Sequence, residues 1–328
     1  MSFRALLLLV VLGSVWGSGF LFIRVAVPDL GPAMLTFLRV ALAGATLALL
    51  APRGLWTLLT GPRGRSVAFL GLTFSALPFT LVSVSTGILS ASFAAILNSM
   101  TPAFTAILGV VWLGRRLGRG QLTGIVVAML GVLLIVTTSP LSGGGGSWIE
   151  TIVAVAASLA ASASYAVAGT FLGRRLVDAP VVPLAAGQLL TAAAILAVPA
   201  AATLPGRFPP GGSLLAVLAL ALLGTALPWP AFLLVSRWVG AVPASTVTLL
   251  VPVFGVLWAA LFLQEPLGIG MVPGAAAIAV GLLLVLGLVR PGLRERPSIA
   301  SHGSGPDAAD PRAGRLTPGR LRPRWLHS

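Results

Sequence analysis

The sequence predicts an all-α integral membrane protein of ten transmembrane helices, arranged as two inverted five-helix repeats. Three observations carry that expectation. The chain is 57% hydrophobic and only 9% charged, with a mean hydropathy of +1.03, a composition outside the range of soluble domains. Residues 75–136 and 225–286 align without a gap at a constant offset of 150. Ser75-Ala76-Leu77-Pro78 faces Thr225-Ala226-Leu227-Pro228, Thr101-Pro102-Ala103-Phe104 faces Val251-Pro252-Val253-Phe254, and Gly118, Gly120, Gly124 and Gly131 face Gly268, Gly270, Gly274 and Gly281. A duplicated membrane segment is a usual construction of secondary transporters, with the substrate site between the copies. The third observation is where the arginines fall.

Apolar stretches of about 20 residues, the length that crosses a bilayer, recur from Ala5 to Val289. The first, 5–23, follows Met1-Ser2-Phe3-Arg4 and resembles a signal peptide. Trp16 fits poorly beside a cleavage site, however, and this span is needed to balance the halves, so we read it as retained. Pro28-Asp29-Leu30-Gly31-Pro32 separates it from 33–51, which ends at Pro52-Arg53-Gly54. Gly61-Pro62-Arg63 precedes the third span, 66–86, and 91–113 and 120–138 complete the first half. Ser142-Gly143-Gly144-Gly145-Gly146-Ser147 reads as a flexible linker. The second half supplies 149–172, 181–202, 214–235, 243–263 and 270–289, with Leu204-Pro205-Gly206 and Pro209-Pro210-Gly211-Gly212 as a Pro- and Gly-rich break. The domains are therefore a first repeat (1–140), a linker (141–148), a second repeat (149–290) and a polar tail (291–328). The tail reads as a disordered, solvated segment; attraction to anionic lipid is a weaker alternative.

With the N-terminus cytoplasmic, 18 of the 21 arginines fall inside, Arg207 and Arg24 lie outside or at a helix end, and Arg39 sits within the second span. Both termini are then cytoplasmic. Five spans per half, an odd number, make the second half run inverted.

Composition also excludes chemistries. Lysine and cysteine are absent, so Schiff-base and thiolate chemistry, disulfides and Cys-ligated metals are ruled out. The two histidines, His302 and His327, lie in the tail, so no span offers a histidine base or ligand. No span carries a clear acid/base pair or nucleophile–base set, and no cofactor is expected. The +14 net charge is not accompanied by an aromatic-interleaved module, which argues against nucleic acid. Small-molecule substrate and membrane lipid are the expected partners; the oligomeric state is not read.

The candidate binding residues are polar, aromatic or proline positions within spans. Trp16 and Tyr165 occupy similar places in the first helix of each half and could wall a cavity; packing against lipid or core is the alternative. Ser18, beside Trp16, joins it as a candidate. It lies with Gly17 and Gly19 in a small-residue run that permits close helix approach. Asn98 and Thr248 lie four residues before Pro102 and Pro252. A proline in a helix leaves that carbonyl without its partner, so side chain and carbonyl could converge on a substrate, or the pair could be a structural kink. Pro78 and Pro228 repeat the logic in the third helix of each half. Arg39 is an intramembrane charge suited to a substrate carboxylate, unless it snorkels or pairs with a carbonyl. Gln188 falls in the analogous region of the second half. Glu265, ahead of Pro266, reads as a solvated or capping acid, and Asp29, Glu150 and Asp178 as loop charges.

Val15-Trp16-Gly17-Ser18-Gly19-Phe20, the arginine of Thr36-Phe37-Leu38-Arg39, and Leu263-Gln264-Glu265-Pro266-Leu267 followed by Gly274 and Gly281 resemble the EamA-type family of the drug/metabolite transporter superfamily. The resemblance covers nearly all of residues 5–289. It implies a carrier of the inner or plasma membrane, often an exporter of amino acids or other small metabolites, with a central cavity built from both halves. With the repeat, the expected protein is a secondary transporter working by alternating access between the halves. The chain departs from the family pattern at Arg115, where an acid is usual at the end of the fourth helix. A non-transporting membrane scaffold or regulatory subunit is the alternative reading.

Overall fold

The computed structural model describes residues 3–114, 116–138, 147–239 and 247–288. Arg115, most of the 141–148 linker and the tail from 291 lie outside them. The described residues form helices, and no strand occurs among them. Among the described residues, seven helical runs are long and apolar enough to cross a bilayer, the first being Leu7–Leu50, and two shorter apolar helices follow. The exposed Val111, Leu130, Ile149, Val198 and Leu215 make an apolar exterior, which suits lipid and not water. This is a multi-pass membrane protein.

The first helix, α1 (Phe3–Leu50), contains both the first and second predicted spans. The loop expected between them shrinks to one non-helical residue, Gly31, with φ 68° and ψ 162°. Glycine meets no Cβ clash in that region, and Pro32 restricts the residue before it from the helical well. The chain turns there into a first and a second arm. A short amphipathic helix, α2 (Pro52–Thr60), follows where a break was expected; it buries Leu55 and Leu58 and exposes Trp56.

The third span is α3 (Gly64–Leu70) and α4 (Leu77–Ile88), joined by the π-turn Gly71–Ala76. Its counterpart in the second half is α10 (Gly211–Ala221), the π-turn Leu222–Ala226 and α11 (Pro228–Val239). In both, the widened turn lies just before the proline. Leu77 N–H bonds to Leu72 O and Leu227 N–H to Leu222 O, five residues back. An α-helical turn would press Pro78 or Pro228 against the carbonyl four residues earlier; the wider turn relieves that clash, so the prolines produce a bulge.

The fourth span breaks into α5 (Ala91–Asn98) and α6 (Thr101–Leu113), with Pro102 in the first turn of α6, where its missing N–H costs nothing. Then come α7 (Arg119–Thr138), α8 (Trp148–Arg175) and α9 (Val181–Ala202). Ser147 and Glu150 form a capping box at the start of α8. Glu150 is therefore a helix-end residue, a role its Ser-x-x-Glu spacing could have revealed. The last helices are α12 (Val247–Leu263), with Pro252 inside, and α13 (Met271–Val285).

Glycine sets the closest contacts. A Cβ on Gly124 would meet Gly281 O at 2.5 Å, and one on Gly281 would meet Gly124 O at 2.5 Å; Gly131 and Gly274 face each other in the same reciprocal way. These four residues are the repeat-mates 124/274 and 131/281. As α7 ascends by seven residues its partner on α13 descends by seven, so equivalent helices of the two copies pack antiparallel through backbone-to-backbone contact. Gly17 lies against Phe254 and Gly255, bringing the first arm of α1 onto α12.

Candidate functional site: a cavity between the repeated halves

A cavity of about 390 Å³ is lined by both halves, within the size range of small-metabolite sites. Its first-half wall includes Trp16, Arg39, Ser75, Phe79 and Asn98; its second-half wall includes Tyr165, Gln188, Thr225, Trp229 and Thr248. The aromatic rings form one continuous group. Phe74 lies 4.5 Å from Trp229 and 5.5 Å from Tyr165, and Trp16 lies 5.2 Å from Phe232, measured between ring centroids.

Arg39 is the charge in this wall. It projects from the second arm of α1 and is 9% exposed. Its Nε donates to Thr225 Oγ1 at 2.8 Å, and its guanidinium carbon lies 3.7 Å from the Phe79 ring centroid. Thr225 belongs to the second-half π-turn and donates in turn to Leu220 O at 2.9 Å, five residues back. The guanidinium is thus held by a hydroxyl from the opposite half and by a ring face. No described carboxylate pairs with it; the described ion pair is Arg207–Asp29, at 3.7 Å.

Ser75 Oγ, Asn98 Oδ1, Gln188 Oε1 and Trp229 Nε1 are buried in the same wall without a protein hydrogen-bond partner. Buried polar atoms are nearly always paired, so four around one cavity mark it as a place for a polar ligand. Among the described residues no group of His, Cys, Asp or Glu could hold a metal ion.

Of the residues singled out in the sequence, Trp16, Arg39, Asn98, Tyr165, Gln188 and Thr248 line the cavity. Ser18 does not, and its hydroxyl bonds back to Val15 O at 2.8 Å. Pro78 and Pro228 shape the turns behind the wall without lining it, and Pro102 starts α6. Pro252 lines a separate apolar cavity of about 230 Å³ between α5, α12 and α13. The Asn98 carbonyl, expected to be free, accepts from Ser162 Oγ at 3.1 Å and Thr101 Oγ1 at 3.2 Å. It is met by protein, and only the Asn98 side-chain oxygen remains for a ligand. Ser75, Phe79 and Thr225 were not foreseen in the site, whereas Trp229, the bulkier residue expected to make the cavity asymmetric, does line it. The signal was present: Ser75 and Thr225 are the polar residues three before the paired prolines.

Glu265 is half-buried and takes the capping role of the two read for it. Its carboxylate accepts from Ala91 N at 2.8 Å, Ser92 N at 3.0 Å and Ser92 Oγ at 2.9 Å, capping the first-half helix α5 from the second half. Gln264, at φ 52°, turns the chain so that Glu265 points back across the gap. Asp29, read as a loop charge, lies within the first arm of α1 and accepts from Ser213 Oγ at 2.6 Å, near the start of α10.

A family model described as the EamA-like transporter family matches residues 3–137 and 152–287. An "Uncharacterized transporter" of Archaeoglobus fulgidus is 27% identical over 284 residues, which covers 83% of this chain and 94% of the relative. A "Probable amino-acid metabolite efflux pump" of Salmonella typhimurium is 31% identical over 140 residues, 42% of this chain and 43% of that protein. A solved crystal structure superposes with a TM-score of 0.60 at 20% identity, covering 88% of this chain and 98% of its own. At that identity the likeness is one of fold.

Proposed function

Because the chain belongs to the EamA-like transporter family, we propose that it is a secondary transporter moving small organic metabolites that carry a carboxylate, in the direction of export. The observation that carries this reading is the cavity between the halves with Arg39 buried in its wall and unpaired with any described acid. A buried charge is costly unless something compensates it, and a carboxylate entering the cavity would do so with the planar, two-pronged geometry that arginine favours. Amino acids fit this description, and one relative's name points the same way.

The scheme we propose is ten transmembrane helices in two inverted repeats, with alternating access between them. It is supported by the antiparallel, reciprocal packing of Gly124 and Gly131 on Gly281 and Gly274 and by the matched π-turns. The arginine distribution supports cytoplasmic termini in an inner membrane.

The test is binding and flux. The purified protein should be stabilised by a carboxylate metabolite, and proteoliposomes should move it down its gradient. Arg39→Gln should lose both. Stabilisation by no small molecule, together with no flux, would instead favour a scaffold or regulatory subunit.

A further inference from the structure

The two halves present equivalent positions to the cavity and fill them differently. Ser75 and Thr225, Phe79 and Trp229, and Arg39 and Leu189 are each 150 residues apart, and all six line it. On one side the members satisfy one another, with Arg39 on the Thr225 hydroxyl and over the Phe79 ring. On the other side leucine stands in place of the arginine, with Gln188 beside it. There the Ser75 hydroxyl, the Gln188 carboxamide oxygen and the Trp229 indole N–H all lack a protein partner. Their residues are 0%, 2% and 7% exposed. They come from adjacent elements: the Trp229 ring lies tilted against that of Phe74, next to Ser75, and the Gln188 backbone carbonyl lies against Gly71 in the same π-turn. The other unpartnered hydroxyls, Ser85, Thr86 and Ser158, do not line the cavity.

We propose that Ser75, Gln188 and Trp229 form a second subsite that takes an uncharged group able both to donate and to accept hydrogen bonds, a carboxamide or a hydroxyl. This rests on the reading above, in which Arg39 holds the carboxylate of the same substrate. The chemistry of the three atoms selects the group. An indole N–H only donates, so it needs an acceptor; a carboxamide oxygen only accepts, so it needs a donor; the serine hydroxyl can serve either. An ammonium has no lone pair and would leave Trp229 unmet. A carboxylate has no proton for the Gln188 oxygen, and the carboxamide would have to turn its NH2 inward to meet it. A hydroxyl or a carboxamide meets both. The two sides thus yield one ionic and one neutral subsite, so a substrate with unlike ends binds in one orientation.

The test uses the purified full chain and straight-chain carboxylates of two to six carbons, ending in methyl, hydroxyl, carboxamide, ammonium or a second carboxylate, measured by calorimetry. At the best-fitting length the hydroxyl or carboxamide compound should bind at least about tenfold tighter than its methyl counterpart. The ammonium and dicarboxylate compounds should not. Gln188→Met and Trp229→Phe should erase that preference, bringing the hydroxyl or carboxamide compound and its methyl counterpart to within about twofold of each other in the same variant; Ser75→Ala, the smallest change, should reduce it if either larger variant fails to fold. Preference for the ammonium or dicarboxylate, or a preference that survives the substitutions, would overturn the subsite. A flat profile across end groups with binding still lost in Arg39→Gln would sink the subsite alone. Carboxylate binding that survives Arg39→Gln, or no binding across the series, would take the underlying reading with it.

Discussion

Arg39 shows how one residue can be costly to the fold and useful to the site. Its Nε and one face of its guanidinium are satisfied by Thr225 and the Phe79 ring, yet no described acid neutralises it. A buried charge without a counter-ion carries an uncompensated desolvation cost that a neutral side chain does not. Arg39→Gln should therefore melt no lower than wild type while losing carboxylate binding, a combination readable from a melting curve and a titration on one sample. Arg39→Lys keeps the charge but cannot keep both the Nε bond and the ring stacking, so carboxylate affinity should fall at least about tenfold. Thr225→Val should weaken the same binding by about 1–3 kcal/mol, with Thr225→Ser restoring most of it. An unchanged affinity in Thr225→Val would remove Thr225 from the site. Asn98→Ala should weaken substrate binding by a similar amount through its unmet side-chain oxygen. If only its melting temperature falls, Asn98 is structural.

At the scale of the element, close approach is decided by glycines whose added Cβ would strike backbone. On Gly124 and Gly281 it would fall within 2.9 Å of partner-helix backbone atoms, which cannot swing aside as a side chain can. Gly124→Ala and Gly281→Ala should each destabilise the protein by about 1–3 kcal/mol, read as a lower melting temperature in detergent. Gly173, within α8, has nothing within 4 Å of its added Cβ. Gly173→Ala should therefore be neutral or stabilising by up to about 1 kcal/mol through helix propensity alone. Equal losses at all three positions would mean that α7 and α13 do not meet through their glycines. At α5, Glu265→Ala removes a cap supplied by the other half and should cost about 1–2 kcal/mol. A cysteine pair at Ser92 and Glu265 should cross-link and, if alternating access requires the halves to separate there, arrest transport until reduced.

The whole-molecule question is orientation and energy source. The chain has no cysteine, so single cysteines report on a clean background. Ser142→Cys and Leu267→Cys should react with an impermeant thiol reagent from outside, and Ser66→Cys and Ser301→Cys should not; the reverse pattern would overturn the inverted arrangement. Among the described residues the cavity wall contains no Asp, Glu or His, the groups that usually relay protons in the membrane, and Glu265 is committed to capping α5. Substrate flux should therefore follow the substrate gradient and persist without a pH gradient. Uphill accumulation driven by a pH gradient alone, and lost in Glu265→Gln, would make Glu265 the relay instead.

What the sequence determined by itself was periodic and local. Apolar length marked the membrane class, and register at an offset of 150 exposed the duplication. A lone arginine among apolar residues marked itself, because bilayer thickness and the cost of buried charge act on the chain residue by residue. The paired prolines showed where two helices deform. They did not show that the outcome is a π-turn before Pro78 and Pro228, or a helix break before Pro102, because those choices depend on neighbouring contacts. Tertiary structure alone decided that Thr225 meets Arg39 across 186 residues of chain and that Glu265 caps a helix 173 and 174 residues away. It also decided that Ser75, Gln188 and Trp229 share a wall with their polar atoms unmet. The physical reason is common to all three. Hydrogen-bond partners are fixed by which helix faces meet when α7 packs on α13 and α1 on α9 and α12, and that packing couples residues whose distance along the chain carries no trace of it.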